Sequence, residues 1–572
     1  MDYKILVEVY EKISQTPGRL DKTNILADFF KKLKNSEVIY LLKGRLFPDY
    51  DSREIGISEQ LTIKALAKST GISDKEIVKK WKALGDLGEV AFEVIKHKKQ
   101  RSLGAKELLV EKVLENLRKL PELQGKGTVS KKMDFISELF TNASPLEAKY
   151  LTRTILGDLR IGLGDGVIRD AIVYSYLDKE KKEAFIAVQE AYDLATDWKV
   201  VFEHAQKNSL SKIELSPGRP LKVMLFPKVT SVEEAFEVVG MPAAFEYKYD
   251  GFRMMINKDE KGNIKIFTRR LDEVTNQFPE VKNYVEKHVT GKTFILDGEA
   301  VGYNPKNHKY TSFQDIAQRI KRKYDIEKME KELPIELNIF DIIYYNGKSL
   351  ISTPFKERRN ILEKAINQKK WQIVLAKQII TDNAKKGEDF YHQALKEGEE
   401  GVMIKGLNAP YKPGARVGYG VKYKPEGNEL DVVIVGAEYG TGKRAGWLTS
   451  FDVACRDKDK FLEIGKVSTG FKEIEGQEKE EDKDNLSFIE ISNILKPLIK
   501  KTEGKHVHVK PEIVITIGYQ NIQISPTYES GFALRFPRFM RLRPDKDKSE
   551  IITLEEIKKD HDKQTRNIQG LG

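Results

Sequence analysis

The stretch Phe245-Glu246-Tyr247-Lys248-Tyr249-Asp250-Gly251-Phe252-Arg253 alternates apolar and polar side chains up to Lys248, then runs into Asp-Gly, a turn dipeptide. The pattern predicts a strand that ends at the lysine and projects its amine into a cleft. Such an amine is a nucleophile only after losing its proton, and at an ordinary pKa only about four lysines in ten thousand are neutral at pH 7. Burial, neighbouring cations or a metal would have to lower that value. On these residues alone, a surface strand followed by a hairpin is the plainer reading.

Acids and bases further along change that balance. Leu296-Asp297-Gly298-Glu299 follows the apolar run Phe294–Leu296 and predicts carboxylates at a second strand end. Glu399-Glu400 precedes the buried-looking run Gly401–Lys405, and Arg416, Lys422 and Lys424 follow as cations. Alternate lysines on a strand face one way, so Lys422 and Lys424 can meet one phosphate, while carboxylates suit Mg²⁺. Each charge alone fits a solvated surface. Acids at strand ends with convergent cations are together what nucleotidyl transfer requires.

The elements that must hold these groups fall into three textures. Residues 1–217 read as helical: Ile25, Leu26, Phe29, Phe30 and Leu33 form one apolar stripe, and Leu108, Leu109, Val113 and Leu117 another. Between two such segments, Leu159–Gly166 carries glycines that either bring backbone N–H groups close to phosphate or mark a tight interhelical turn. Proline and glycine cluster at Ser216–Pro220, and residues 218–424 have α+β texture. After Lys424-Pro425-Glu426-Gly427-Asn428, the runs Leu430–Ala437, Phe451–Cys455 and Ile513–Ile517 predict a small β-barrel over 425–572 with a helical tail. The charged run Lys472–Asp484 reads as a surface insertion in it.

Two decoys lie in that last region. Gly436–Arg444 imitates a P-loop, but five residues separate Gly436 from Gly442 and Arg444 stands where Ser or Thr is required. His506 and His508 share a strand face without an evident third ligand, so a plain strand is expected.

Composition bounds the setting. With 572 residues the chain needs several cores. Lys and Arg outnumber Asp and Glu by 98 to 87, a net charge of +11 that favours a polyanionic partner. No apolar run reaches membrane-spanning length and the N-terminus lacks an apolar signal core, so a cytoplasmic protein without a membrane partner is expected. Cys455 is the single cysteine, which excludes an internal disulfide framework and a Cys₄ zinc module.

The ordered series resembles the ATP-dependent DNA ligases of the covalent nucleotidyltransferase superfamily, in their three-domain archaeal and eukaryotic form. Glu246–Arg253 looks like the lysine motif, E-x-K-x-D-G-x-R. Thr268-Arg269-Arg270, Asp297-Gly298-Glu299, Phe340-Asp341, Glu400–Lys405, Lys422-Tyr423-Lys424 and Arg535–Lys546 follow in family order. The resemblance implies a multidomain fold: an all-α DNA-binding domain, an α+β adenylation domain and a β-barrel OB-fold domain. It also implies that Lys248 takes AMP from ATP, that AMP passes to the 5′-phosphate at a nick, and that the 3′-hydroxyl then seals the strand, in replication, repair and recombination.

Residue roles are implied in the same way. Glu246 would lie beside the adenine, Phe340 would stack on it, and Arg253 and Arg269 would contact ribose, AMP phosphate or nick phosphate. Glu299 would hold ribose or metal, Glu400 the metal, and Arg416, Lys422 and Lys424 the α-phosphate. Arg541, Asp545 and Lys546 would orient departing pyrophosphate. Mg²⁺ is the expected metal, with Mn²⁺ as the alternative, and ATP the expected nucleotide, since NAD⁺-dependent relatives need the Cys₄ site. The expected partner is nicked double-stranded DNA, with a sliding clamp as a further candidate, and the expected state is a monomer. One departure stands out: where the family often has tryptophan two residues before Lys422, this chain has Gly420, and Tyr419 or Tyr423 is expected to fill the space. An RNA ligase, a capping guanylyltransferase and a non-catalytic DNA-binding scaffold are the alternative readings.

Overall fold

The apolar stripes of the first two hundred residues fold as helices. Arg19–Phe30 turns Leu26, Ala27, Phe29 and Phe30 inward, and Val110–Lys119 does so with Val110, Val113, Leu114 and Leu117. Leu109, expected in that stripe, is 43% exposed, because the helix begins one residue later and leaves it out of period. Pro145–Ile155 starts on a capping box: the Glu147 N–H donates to the Ser144 hydroxyl, and the Ser144 N–H donates to the Glu147 carboxylate. Of the Leu159–Gly166 segment, residues 159–164 lie in the link between the helices Pro145–Ile155 and Asp165–Tyr176 and the last two open the second helix; the Ile161 and Gly162 carbonyls accept the Lys22 ammonium.

This computed structural model describes all residues but 99–106, 124, 126, 312, 321, 323, 426, 441–443, 445, 474–485 and 570–572; the side chains of 313–315, 317, 563 and 565–569 are also outside the description. The chain forms two compact units, Met1–Gly387 with Val402–Lys422, and Glu388–Gly401 with Tyr423–Gly572. Among the described residues no helix is long and apolar enough to cross a membrane.

After the helices come strands β1 (Lys228–Val229), β2 (Ala243–Lys248), β3 (Phe252–Lys258), β4 (Ile264–Thr268), β5 (Phe294–Gly302), β6 (Ile335–Tyr345), β7 (Lys348–Ser349), β8 (Ile373–Leu375), β9 (Gln378–Thr381), β10 (Gly401–Gly406) and β11 (Gly420–Tyr423). One sheet runs β1-β11-β10-β2-β9 and the other β4-β3-β5-β6-β7, with β8 beside β6. β2 and β3 are consecutive yet lie in different sheets, so no hairpin forms at Tyr249–Gly251. The turn instead carries the chain from one sheet to the other, with Lys248 at the crossing.

The Asp297-Gly298-Glu299 segment does not end a strand as expected; it lies in the middle of β5. On one side Arg253 pairs with Glu299, Met254 with Gly298 and Met255 with Asp297, and on the other Asp297 pairs with Asp341 and Glu299 with Asn338. Ladders on both edges keep an Asp-Gly dipeptide extended against its turn preference.

In the second unit, β12 (Asn428–Tyr439), β13 (Leu448–Asp457), β14 (Lys460–Val467), β15 (Ile499–Glu503), β16 (His506–Val509), β17 (Val514–Tyr519), β18 (Ile522–Ile524), β19 (Phe532–Leu534) and β20 (Arg538–Leu542) follow. The main sheet runs β14-β13-β12-β16-β15, with β17 joining β12 to β20. β12 pairs with β13 along one edge and with β17 and then β16 along the other. A register shift between Ile434 and Gly436 adds twist, and the sheet curls into an OB-like half-barrel around Val432, Ile434, Phe451, Ile515 and Phe539. Of the Lys472–Asp484 insertion, 474–484 lie outside the described residues, as do 441–443 of the rejected P-loop stretch. His506 and His508 share a face of β16, and His506 pairs with Asp452 at 2.7 Å.

The helical region meets the strand region of its own unit at Asp193. This carboxylate is 7% exposed, accepts from the Gln189 amide at 3.0 Å and packs against Gly414. Burial pushes its pKa up to about 6 from an ordinary 3.8, partly offset by Gln189 and Lys222. Between those values the folded chain holds a proton that the unfolded chain releases, so the contribution to stability falls as pH rises from about 4 to about 6. Asp193→Asn, which stays neutral, is expected to gain roughly 1–3 kcal/mol on the parent between pH 4 and pH 7. Unfolding of both proteins at the two pH values checks this; a pH-independent difference contradicts it.

Candidate active site

Lys248 ends β2, whose Ala243–Tyr247 are all buried, so its position is set by a strand covered on both faces. Tyr249, next in the turn, accepts the Lys377 backbone N–H on its hydroxyl at 3.0 Å. At Gly251 a Cβ would lie 2.4 Å from the Ala300 carbonyl oxygen and 3.0 Å from Glu299 Cγ. The absence of a side chain there lets β5 close on the lysine turn and brings Glu299 beside it.

Arg253 lies across β3 and β5 from Glu299 and diagonal to Asp297, on one face of the sheet. Its guanidinium grips Asp297 with both Nε and NH2, the first at 2.8 Å, and donates from NH1 to the Met224 carbonyl at 3.1 Å. Asp297 is fully buried. Burial alone would lower the arginine's pKa, but Asp297 outweighs it and holds the charge well above the ordinary range. The Arg253 guanidinium stands 5.3 Å from the Phe340 ring centre and the Lys405 ammonium 4.7 Å from it. Behind Phe340, Asp341 is gripped at 2.7 and 3.0 Å by the buried Arg358.

Glu246 is 2% exposed, although its place in an alternating strand marks it as a solvent-facing residue. Lys405 pairs with it at 2.6 Å, the Gln378 amide donates at 2.9 Å and Arg359 stands at 3.5 Å. A carboxylate has about four acceptor sites, so this hub retains capacity for one more donor.

Arg269 is exposed on the turn after β4, and Arg416 is exposed in a bridge with Leu225. Lys422 lies on β11, and its N–H donates to the Pro227 carbonyl at 2.9 Å. β11 ends at Tyr423, so Lys424 is not on the strand and the alternation expected of the two lysines is incomplete. Neither tyrosine fills the space at Gly420: a Cβ there would meet the Phe226 ring at 2.6–2.8 Å, Tyr419 is exposed and Tyr423 stacks on Tyr391. The linker phenylalanine occupies the volume instead.

In the second unit, Glu400 directly precedes β10. Arg541 pairs with Glu429 at 2.7 Å, and Asp431 collects Arg543 at 2.9 Å and Lys546 at 2.7 Å. Arg543 also binds Asp545 and holds that carboxyl at about 2.

Among the described residues no group of three or more His, Cys, Asp or Glu side chains could hold a metal, and Asp297 is committed to Arg253. Single carboxylates such as Glu299 fit Mg²⁺, which binds one or two carboxylates together with substrate phosphates rather than a full protein cage.

Residues 2–173 match the model for DNA ligase N terminus, 223–424 that for ATP dependent DNA ligase domain, and 444–546 that for ATP dependent DNA ligase C terminal region. The chain is 44% identical to a DNA ligase of Nanoarchaeum equitans, over 99% of this chain and 100% of the relative. The chain belongs to the ATP-dependent DNA ligases. It is also 41% identical to a DNA ligase of Thermococcus fumicolans, over 97% and 98% of the two chains. The solved structure titled Pmar-Lig_Pre. superposes with a TM-score of 0.54 at 17% identity, covering 94% of this chain and 99% of that one, a likeness of fold.

Sequence reasoning for this ligase missed Asp297 as the partner of Arg253 and the Lys405–Gln378–Arg359 set around Glu246. The available signal was the rule that a buried charge needs a partner, applied to Lys405 inside an apolar run. As a test of the close approach at the lysine turn, Gly251→Ala is expected to destabilise the chain by roughly 1–3 kcal/mol through overpacking against Ala300. Denaturant unfolding checks it, and unchanged stability contradicts it.

Proposed function

We propose that the chain joins nicks in duplex DNA through a lysyl-AMP intermediate on Lys248. The observation that carries this reading is the lysine's place at the crossing between two sheets, on a turn whose Gly251 lets Glu299 approach closely. The deprotonated Lys248 Nζ attacks the α-phosphorus of ATP, an N–P bond forms, and the bond to pyrophosphate breaks. The 5′-phosphate oxygen at the nick then attacks the AMP phosphorus and the lysine leaves. In the last step the 3′-hydroxyl attacks the activated 5′-phosphate, and AMP departs as the strand closes. A covalent intermediate divides one displacement into easier ones, and the protein's part is positioning and charge neutralisation.

In this reading Phe340 stacks on the purine, Glu246 faces its edge, and Arg253, Arg269, Arg416, Lys422 and Lys424 contact ribose or phosphates. Arg541, Asp545 and Lys546 orient the pyrophosphate. Glu299 and Glu400 hold Mg²⁺, which when bound neutralises charge on the transferring phosphate. The basic composition supports binding to the DNA backbone with little base readout.

Lys248→Ala is expected to lose sealing of an ordinary 5′-phosphate nick while still sealing a nick already carrying 5′-adenylate, measured on labelled duplexes. Loss on both substrates, or retention on both, contradicts the assignment. Nicked DNA is expected to be sealed faster than nicked RNA, and the DNA rate should fall steeply from low to moderate salt. A flat salt profile contradicts phosphate-led binding.

A further inference from the structure

Between the helical region and β1, the stretch Leu221–Phe226 passes directly behind Arg253. The Met224 backbone is held on both sides of its Cα: its carbonyl accepts from Arg253 NH1 at 3.1 Å, and its N–H donates to the Tyr411 hydroxyl at 3.2 Å. Tyr411 is 1% exposed. The same hydroxyl donates to Asp297 Oδ2 at 3.0 Å and lies 3.4 Å from Arg253 NH2 as an acceptor. A tyrosine hydroxyl offers one donor and two acceptor sites, and all three are used here. Burial raises the phenol's pKa well above its ordinary value, with Asp297 adding to the effect, so the hydroxyl keeps the proton it donates.

The loop bearing Tyr411 is tied to the same stretch at further points. The Leu225 N–H donates to the Ala415 carbonyl at 3.0 Å, and Leu225 bridges Arg416. The Lys412 ammonium pairs with Glu190 of the helical region at 3.1 Å. The loop therefore touches the helical region, the connecting stretch and the arginine.

We propose that Tyr411 is a positioning residue for adenylyl transfer, joining the Asp297 carboxylate and the Met224 backbone into one cradle for the Arg253 guanidinium. Through it, the stretch leaving the helical region fixes the arginine at the nucleotide site. The inference rests on the reading of Arg253 as a contact to ATP. Asp297 alone fixes two nitrogens of the guanidinium; the third depends on the Met224 carbonyl, and the hydroxyl holds the N–H of that same residue, one peptide plane before it. Tyr411→Phe keeps the ring, removes the hydroxyl and leaves the Met224 N–H without its acceptor.

Single-turnover labelling of the full chain with α-labelled ATP and Mg²⁺ tests this, with rate measured against ATP concentration. Tyr411→Phe is expected to lower the maximal rate about tenfold while half-saturating ATP stays within about twofold, the pattern of an interaction made in the transition state. In an Arg253→Lys background the same substitution should cost less than about twofold, because the group it positions has gone. An undiminished maximal rate in Tyr411→Phe, or a full tenfold loss in the Arg253→Lys background, overturns the proposal. A Tyr411→Phe chain that does not melt cooperatively also overturns the proposal, because the hydroxyl then serves the fold as a whole and not the arginine. A parent chain that acquires no label at all overturns the proposed function itself, and so is distinguishable from failure of this inference.

Discussion

Arg253 and Asp297 meet where β3 and β5 run side by side, and the fully buried Asp297 carboxylate could not stand there as an ion without the arginine. Bringing an ion out of water costs several kcal/mol even after relaxation, and removing one partner of such a pair costs roughly 3–5 kcal/mol. The pair therefore fixes the register of β3 against β5, which sets Glu299 across from Arg253 and beside the lysine turn. It also fixes what can lie behind it: the Met224 peptide and the Tyr411 hydroxyl complete the bonding that the two ions require. The same guanidinium stands close to the Phe340 ring. One electrostatic constraint thus places an acid, a base, an aromatic ring and a connecting stretch of chain.

Two kinds of ion pair serve different ends in this chain. Around Glu246 and Asp297 the carboxylates are sealed from solvent, with Lys405, Arg359 and Arg253 as partners. Such pairs are rigid, since exchanging a partner would strand a charge in a medium that cannot solvate it. Arg541 and Glu429 in the second unit are both open to solvent, at 51% and 40% exposure. Exposed pairs contribute little and exchange readily. A preorganised set suits the holding of a nucleotide, and an exchangeable cation suits a group that must bind a leaving anion and release it.

Much of this was legible in the residues, because the chemistry demands residue types at fixed spacing. Lys248 before an Asp-Gly turn, the helical stripes of the first third and the strand runs after Asn428 all follow from local periodicity and turn chemistry. What sequence could not give was long-range pairing. Asp297-Gly298-Glu299 has the letters of a strand end, yet ladders on both sides make it mid-strand. Glu246 has the alternation of a solvent-facing position, yet Lys405, more than a hundred residues away, allows it to be buried. The volume left by Gly420 is filled by Phe226 from the connecting stretch, not by the neighbouring tyrosines, because packing follows space and not sequence distance.

The central claim is that one amine at the crossing of two sheets takes up AMP. Mass spectrometry of the purified chain after incubation with ATP and Mg²⁺, followed by peptide mapping, addresses it most directly. The account predicts a single AMP adduct, carried by the peptide containing Lys248 and discharged on addition of pyrophosphate. An adduct at another residue, or efficient joining of nicks by a chain that never acquires one, would contradict it.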